Sequence, residues 1–210
     1  MSWWLEDATE RNKKAPYTFY IPSKEVIEIL KTGDQVKLLF ASNEIDGDFE
    51  VERMWVEISE RDGELFSGIL VNTPASIKNL EMGHKIRFKR EHISDTEYKD
   101  PEEEAWDYYF DSKVVVSKDV LKRNEYNFML RDFPKGEGDT GWAFSSGYEN
   151  DEFLSNSENL QVISLGVILN IDDSILAILD DHPQCVYERD PETNMFRKIH
   201  DFDWDYYNGT

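Results

Sequence analysis

A phrase built around one glycine is written twice in the first half of the chain: Leu30-Lys-Thr-Gly33-Asp-Gln-Val36-Lys-Leu38 is echoed by Leu80-Glu-Met-Gly83-His-Lys-Ile86-Arg-Phe88. Each copy follows a proline, Pro22 or Pro74, and a short amphipathic stretch (Val26, Ile27 and Leu30, then Ile77 and Leu80). Such a phrase leaves the backbone few choices. A helix ends, the glycine takes the left-handed C-cap conformation that other residues avoid, and the alternating apolar residues that follow ask for a strand with one buried face. Ser23 can cap the first helix, with Glu25 near the positive end of its dipole. Between the copies, Phe49 to Ile58 and Leu65 to Val71 are β-rich, and Asp62-Gly63 supplies hairpin turn chemistry. Two copies are too few for a solenoid. The echo is either a repeated supersecondary unit inside one α+β domain or two uses of a common helix-to-strand joint.

The composition then breaks once. Residues 94–111 read Ser-Asp-Thr-Glu-Tyr-Lys-Asp-Pro-Glu-Glu-Glu-Ala-Trp-Asp-Tyr-Tyr-Phe-Asp. This divides the chain into an α+β domain over 1–98, an acidic linker over 99–111 and a second α+β domain over 112–205. The aromatics from Trp106 to Phe110 are expected to pack on a neighbouring body. In the second domain Lys113 to Val116 reads as a strand, Ser117 caps a short helix through Arg123, and Tyr126 to Arg131 returns as a strand. Gly136, Gly138 and Gly141 with Asp139 turn the chain into Trp142-Ala-Phe144. Asp151 to Leu154 reads as a helical turn and Leu160 to Asn170 as a buried strand interrupted by Gly166. Asp172-Asp173-Ser174 starts a helix whose Ile175, Ile178 and Leu179 share a face. Gln184 to Glu188 and Met195 to Ile199 close a hairpin around Asp190-Pro191. These elements alternate too briefly for a doubly wound sheet. The fold class is α+β: two small segments, each a mixed, mainly antiparallel sheet with short helices on one face.

Charge excludes several partners. With 23 Lys plus Arg against 44 Asp plus Glu, the chain carries a formal charge of -21. Such a surface repels phosphate backbones and cannot form a polybasic membrane anchor, so neither nucleic acid nor membrane is expected. The 40% hydrophobic and 13% aromatic content separates it from disordered acidic polymers. Met1 to Lys14 has no apolar signal-peptide core, and the longest mainly apolar run, Val162 to Ile171, falls far below the roughly 20 residues that span a bilayer. Cys185 is the only cysteine, so neither an intrachain disulfide nor a thiolate metal site is available. It is expected in packed core, and the protein in the cytoplasm.

The chemical motifs are weak. Asp201-Phe-Asp203-Trp-Asp205 places acids at positions 1, 3 and 5 of a calcium loop, but Tyr206 stands where that loop needs glycine. Alternating acids and aromatics there suit an edge segment with one packed face. His84, His92, His182 and His200 are not at zinc-ligand spacing and suit surface or turn positions. Gly136-Glu-Gly138-Asp-Thr-Gly141 carries acids where a phosphate would sit and precedes a strand or turn rather than a helix. No catalytic residue, metal or cofactor is expected. One feature of the charge is more specific. From Gly136 through Glu188 there is no Lys or Arg, while acids recur with Trp142, Phe144, Tyr148 and Phe153 among them. The stretch reads either as a solvated surface or as an interface with aromatic anchors and steering charges.

At Asp139-Thr-Gly-Trp142-Ala-Phe144-Ser-Ser-Gly147-Tyr-Glu149-Asn-Asp151-Glu152-Phe153-Leu154 the sequence resembles a bacterial immunity-protein family of polymorphic toxin systems, immunity protein 33. Val115-Val-Ser117-Lys118, Arg131-x-x-Pro134, Asn159-Leu160, the Asp172 to Leu179 segment and Tyr187-Glu188-Arg189 agree in order. The first half is similar to a second bacterial family, domain of unknown function 2314, at Tyr17-Thr-Phe-Tyr-Ile21-Pro22, Glu52-Arg-Met-Trp-Val-Glu57, Gly68, Asn72-x-Pro74 and Gly83. The first resemblance implies a non-enzymatic cytoplasmic antidote that binds a toxin domain. Many toxin domains are basic, and an acidic partner is steered onto them. The partner is therefore expected to be a protein, a basic toxin domain, met by Asp139, Trp142, Glu149, Asp151 and Glu152. Alternatives are a housekeeping or regulatory binding module and a carboxylate-based hydrolase. The oligomeric state is left open.

Overall fold

The computed structural model describes residues 3–44 and 50–208. The chain forms two compact units, Met1–Trp106 and Asp107–Thr210. The first holds β1 (Trp3–Leu5), α1 (Ala8–Lys14), α2 (Lys24–Ile29), β2 (Gln35–Ser42), β3 (Val51–Asp62), β4 (Leu65–Leu70), β5 (Lys85–Lys89) and β6 (Ile93–Thr96). The division falls within α3 (Glu103–Asp111). Then follow β7 (Lys113–Ser117), α4 (Lys118–Arg123), β8 (Phe128–Arg131), β9 (Asp139–Ser145), α5 (Asp151–Ser155), β10 (Leu160–Ser164), α6 (Leu165–Ile171), β11 (Cys185–Arg189), β12 (Phe196–Ile199) and α7 (Trp204–Asn208). Both units are α+β. Phe49, expected to open a hairpin strand, lies outside the described residues.

The first sheet runs β1-β2-β3-β4-β5, with β6 also on β2, and every described pairing is antiparallel. Val36, Leu38 and Phe40 of β2 join Met54, Val56 and Ile58 of β3 in its core, closed by Ile27, Leu30, Ile77 and Leu80. The echoed phrase is a structural echo. Gly33 and Gly83 have φ of 95° and 91°, donate to Ile58 O and Leu70 O at 2.8 Å each, and are followed by residues that accept the return bond from the same partners. Neither glycine caps a helix, however: α2 ends at Leu30, and the glycines sit in the turns that follow Leu30 and Leu80.

Only the first copy keeps its helix. Ser23 Oγ accepts the Val26 amide at 3.3 Å, and the Arg61 guanidinium takes the carbonyls of Ile27, Glu28 and Leu30 at the other end. In the second copy the Glu52 carboxylate accepts the amides of Ala75, Ser76 and Ile77 at 2.7, 2.7 and 2.8 Å, and Asn79 turns left-handed at φ 61°. A clamp reaching across from β3 replaces the helical turn. The Asn72 side chain likewise accepts the Trp55 amide, so both side chains tie β3 to the segment that follows β4.

The second sheet runs β10-β7-β9-β8-β11-β12, with β7 and β9 parallel and the other pairs antiparallel. Val114, Val116, Met129, Trp142 and Phe144 alternate into its buried face, as do Val120 of α4 and Leu165, Ile168 and Leu169 of α6. Two expectations are corrected here. Leu160 to Asn170 is a strand only as far as Ser164 and then a helix, because Leu165, Ile168 and Leu169 bury at helical spacing. The helix expected after Asp172 shrinks to a 3₁₀ turn over Leu176–Ile178. Tyr126 OH donates to Asp172 O at 2.7 Å and so takes the carbonyl of the helix's first turn, while Trp142 Nε1 and Arg131 hold the chain beyond the turn through Leu179 O, and Arg131 also through Asp181 O. At the end of the chain, Asp203 Oδ1 accepts the Tyr206 amide at 2.8 Å and caps α7, so Asp201 to Asp205 leads into a helix rather than along a sheet edge.

Candidate functional site

β9 sets the geometry. Trp142 and Phe144 point inward, so Gly141, Ala143 and Ser145 lie on the opposite face. Trp142 is 1% exposed, its Nε1 donates to Leu179 O at 3.0 Å, and its ring meets those of Phe144 and Tyr187 at 6.2 Å each. The indole expected at a partner surface is buried in the core instead. A large aromatic gains more free energy from full burial than from a surface among acids. Strand parity, counted from Gly141, was the signal that separates the two.

Gly141 has φ +77°, and a Cβ there would lie 2.0 Å from Asp132 O. The 132–135 loop is therefore laid directly over the strand, closed by Asp132 N donating to Gly141 O at 3.0 Å. Asp139 fixes both sides of this crossing. Its carboxylate accepts the amides of Lys135 and Gly141 at 2.8 Å each.

Glu149 plays a similar part in the next turn. It accepts from Ser117 Oγ, from the Ser146 amide at 2.9 Å and from the Gly147 amide at 2.9 Å. Partial burial works against its charge, but these hydrogen bonds outweigh it and hold the carboxyl below its ordinary range. Asp119 takes Ser146 Oγ at 2.8 Å and pairs with Arg123, whose guanidinium lies 4.6 Å over the Tyr148 ring. Asp151 and Glu152 are different. Both are exposed in the first turn of α5, which Asn150 caps by accepting the Phe153 amide at 2.8 Å.

The stretch without cations sorts the same way. Asp172 pairs with Arg189 at 2.6 Å, Asp181 with Lys198 at 2.8 Å and Glu188 with Arg197 at 3.3 Å. Glu137, Asp151, Glu152, Glu158 and Asp180 are exposed and form no ion pair among the described residues.

Beside these acids lies a groove that the motif reading missed. On the face opposite the Trp142 core, Val115, Leu130 and Ala143 form its floor, and Phe133, Leu154 and Tyr207 its walls, around a volume of about 260 Å³. Asp132, Lys135 and Asp139 stand at its polar side. Phe133 is 58% exposed, and Val162, outside the groove on β10, is 67% exposed. Phe202, just before α7, reaches Phe128 on β8 at 6.4 Å between ring centroids. The motif Asp139 to Ser145 thus builds a core with one face and an apolar groove with the other.

Among the described residues no group of three His, Cys, Asp or Glu could hold a metal ion. Among the described residues no helix is long and apolar enough to cross a membrane. Cys185 is buried, and burial pushes its thiol pKa up. In comparisons with known proteins, residues 1–114 match the family described as an uncharacterized protein conserved in bacteria (DUF2314), and residues 114–200 match the immunity protein Imm33 domain. No curated protein and no solved structure matches the chain.

Proposed function

The chain belongs to the DUF2314 family of bacterial proteins, and from its match to an immunity-protein domain over 114–200 we propose that it is a non-enzymatic cytoplasmic binding protein that neutralises a basic toxin domain. The observation that carries this reading is the apolar groove floored by β9, with exposed acids on α5 beside its Leu154 wall. Neutralising a toxin requires a complex that both forms quickly and lasts. Solvated carboxylates accelerate encounter, but they hold little once two surfaces meet. A desolvated apolar anchor supplies the residence time. The groove offers a place for that anchor, and Asp151 and Glu152 offer the steering charge.

The carboxyls support a binding role over hydrolysis. Asp119, Glu149, Asp172 and Asp181 all sit below their ordinary range, and a general acid needs the opposite displacement. Each is engaged by amides, hydroxyls or cations as part of the fold.

The reading is tested by affinity capture of the full chain from its native cell with mass spectrometry, followed by kinetics on the captured toxin domain. Association should slow as ionic strength rises, and Phe133→Ala should speed dissociation about tenfold or more without altering the fold. Capture of no toxin domain would sink the proposal. Salt-indifferent association would remove charge from the mechanism, and unchanged dissociation would move the interface away from the groove.

A further inference from the structure

A groove in the first unit has the opposite chemistry. β1 and β5 end the hydrogen-bonded path of that sheet, so each has one edge that no described strand pairs. The sheet nevertheless curls until both ends line one groove of about 810 Å³, with Trp3 and Trp4 from β1, Lys85 and Arg87 from β5, and His84 and His92 beside them. In a chain with 44 Asp plus Glu, no carboxylate is among its described lining residues.

Strand parity aims these side chains. Ile86 and Phe88 of β5 enter the core, where Phe88 stacks on Phe66 at 5.2 Å, so Lys85 and Arg87 stand outward and exposed. Neither forms an ion pair among the described residues. Trp3 packs on Phe40 at 5.8 Å, while Trp4 is 44% exposed. Both histidines accept a backbone amide through Nδ1, His84 from Glu81 at 3.1 Å and His92 from Lys89 at 2.9 Å. A neutral histidine held in this way keeps its proton on Nε2, as a donor. The groove therefore offers cations, side-chain donors and indole surface, bordered on β5 by an edge that no described strand pairs.

We propose that this groove binds an extended acidic segment of a partner protein, which adds as a strand to the open edge of β5 and sets carboxylates two residues apart against Lys85 and Arg87. The spacing is inherent in the geometry: side chains two residues apart on a strand share a face at roughly 7 Å, so the two cations match an acid-x-acid pattern on an added strand. An apolar side chain of the segment covers Trp4. A nucleic acid strand fits less well, since its continuous phosphate charge would meet the field of a -21 chain and has no amide groups to pair with the edge. A short peptide carries few charges and has those amides. The proposal is independent of toxin binding, which is assigned to the other unit.

The test uses the full chain and a fluorescent peptide alternating Glu with Val, compared with the same peptide carrying Gln for Glu, by anisotropy at low and physiological salt. The Glu peptide should bind at least about tenfold more tightly, and Lys85→Gln with Arg87→Gln should remove that preference. Backbone N-methylation on one edge of the peptide should abolish binding, and amide resonances of 85–87 should shift on titration of the unsubstituted protein. Equal binding of the two peptides would overturn the proposal and leave the basic residues as guards against edge-to-edge pairing. So would tighter binding of an oligothymidylate, or peptide binding that leaves the 85–87 resonances unmoved.

Discussion

Glu149→Ala separates a carboxylate that holds the fold from one that meets a partner. The side chain accepts three hydrogen bonds, from Ser117 Oγ and the amides of Ser146 and Gly147. Each hydrogen bond to a charged group contributes roughly 1.5–3 kcal/mol when buried. The three share one carboxylate that is partly open to water, so they do not sum, and about 2–4 kcal/mol is the expected loss. With a urea slope of about 2 kcal/mol per molar, the midpoint of the second unit falls by roughly 1–2 M. The carboxyl titrates below its ordinary value of 4.5 in the folded state. Its contribution is therefore complete above that value and disappears as pH falls through the folded pKa. Urea unfolding at neutral pH and near pH 3, with hydrogen exchange of the Ser146 and Gly147 amides, measures both parts. An unchanged midpoint with weakened toxin binding would refute the clamp and make Glu149 a contact residue. A loss that persists undiminished in acid would assign the effect to packing rather than charge.

Asp151→Asn with Glu152→Gln should leave stability within about 0.5 kcal/mol and slow association with the captured toxin domain, most visibly at low salt in stopped-flow traces. Gly141→Ala should cost roughly 2–4 kcal/mol in urea unfolding, since its left-handed backbone and the Asp132 carbonyl both oppose a Cβ. Gly83→Ala should cost only about 1 kcal/mol, because open space surrounds that position and the backbone alone objects. Glu52→Ala should destabilise the first unit by roughly 2–3 kcal/mol at neutral pH. Its folded carboxyl also titrates below 4.5, so that difference should shrink in acid denaturation profiles.

What the sequence reveals depends on whether the deciding partner is local. The left-handed backbone at Gly33 and Gly83, the Ser117 cap and the Asp190-Pro191 hairpin turn are written within a few residues and form as expected, although neither glycine caps a helix. The missing helix before Gly83 was decided by Glu52, more than twenty residues upstream. The shortened helix after Asp172 has its first carbonyl taken by the hydroxyl of Tyr126, more than forty residues upstream. The candidate site divides likewise. Asp151 and Glu152 lie at the surface as their composition suggests, whereas Glu149 and Asp139 turn to backbone amides, and Trp142 faces inward by strand parity. The groove was legible only as the polar-looking alternate face of β9, where glycine and alanine give no hydrophobic signal and Leu130 and Phe133 come from elsewhere in the chain.

The cations that neutralise Asp172, Asp181 and Glu188 all follow those acids in the sequence: Arg189, Lys198 and Arg197. A ribosome therefore makes the whole cation-free stretch before any of its later counter-ions exist. Until β11 and β12 emerge, the nascent second unit carries a self-repelling edge, and β8 has no strand on its outer side. Folding of this unit should therefore wait for β11 and β12 to be made. Messages cut short before Arg189 should yield chains that stay open to proteolysis rather than partly active fragments.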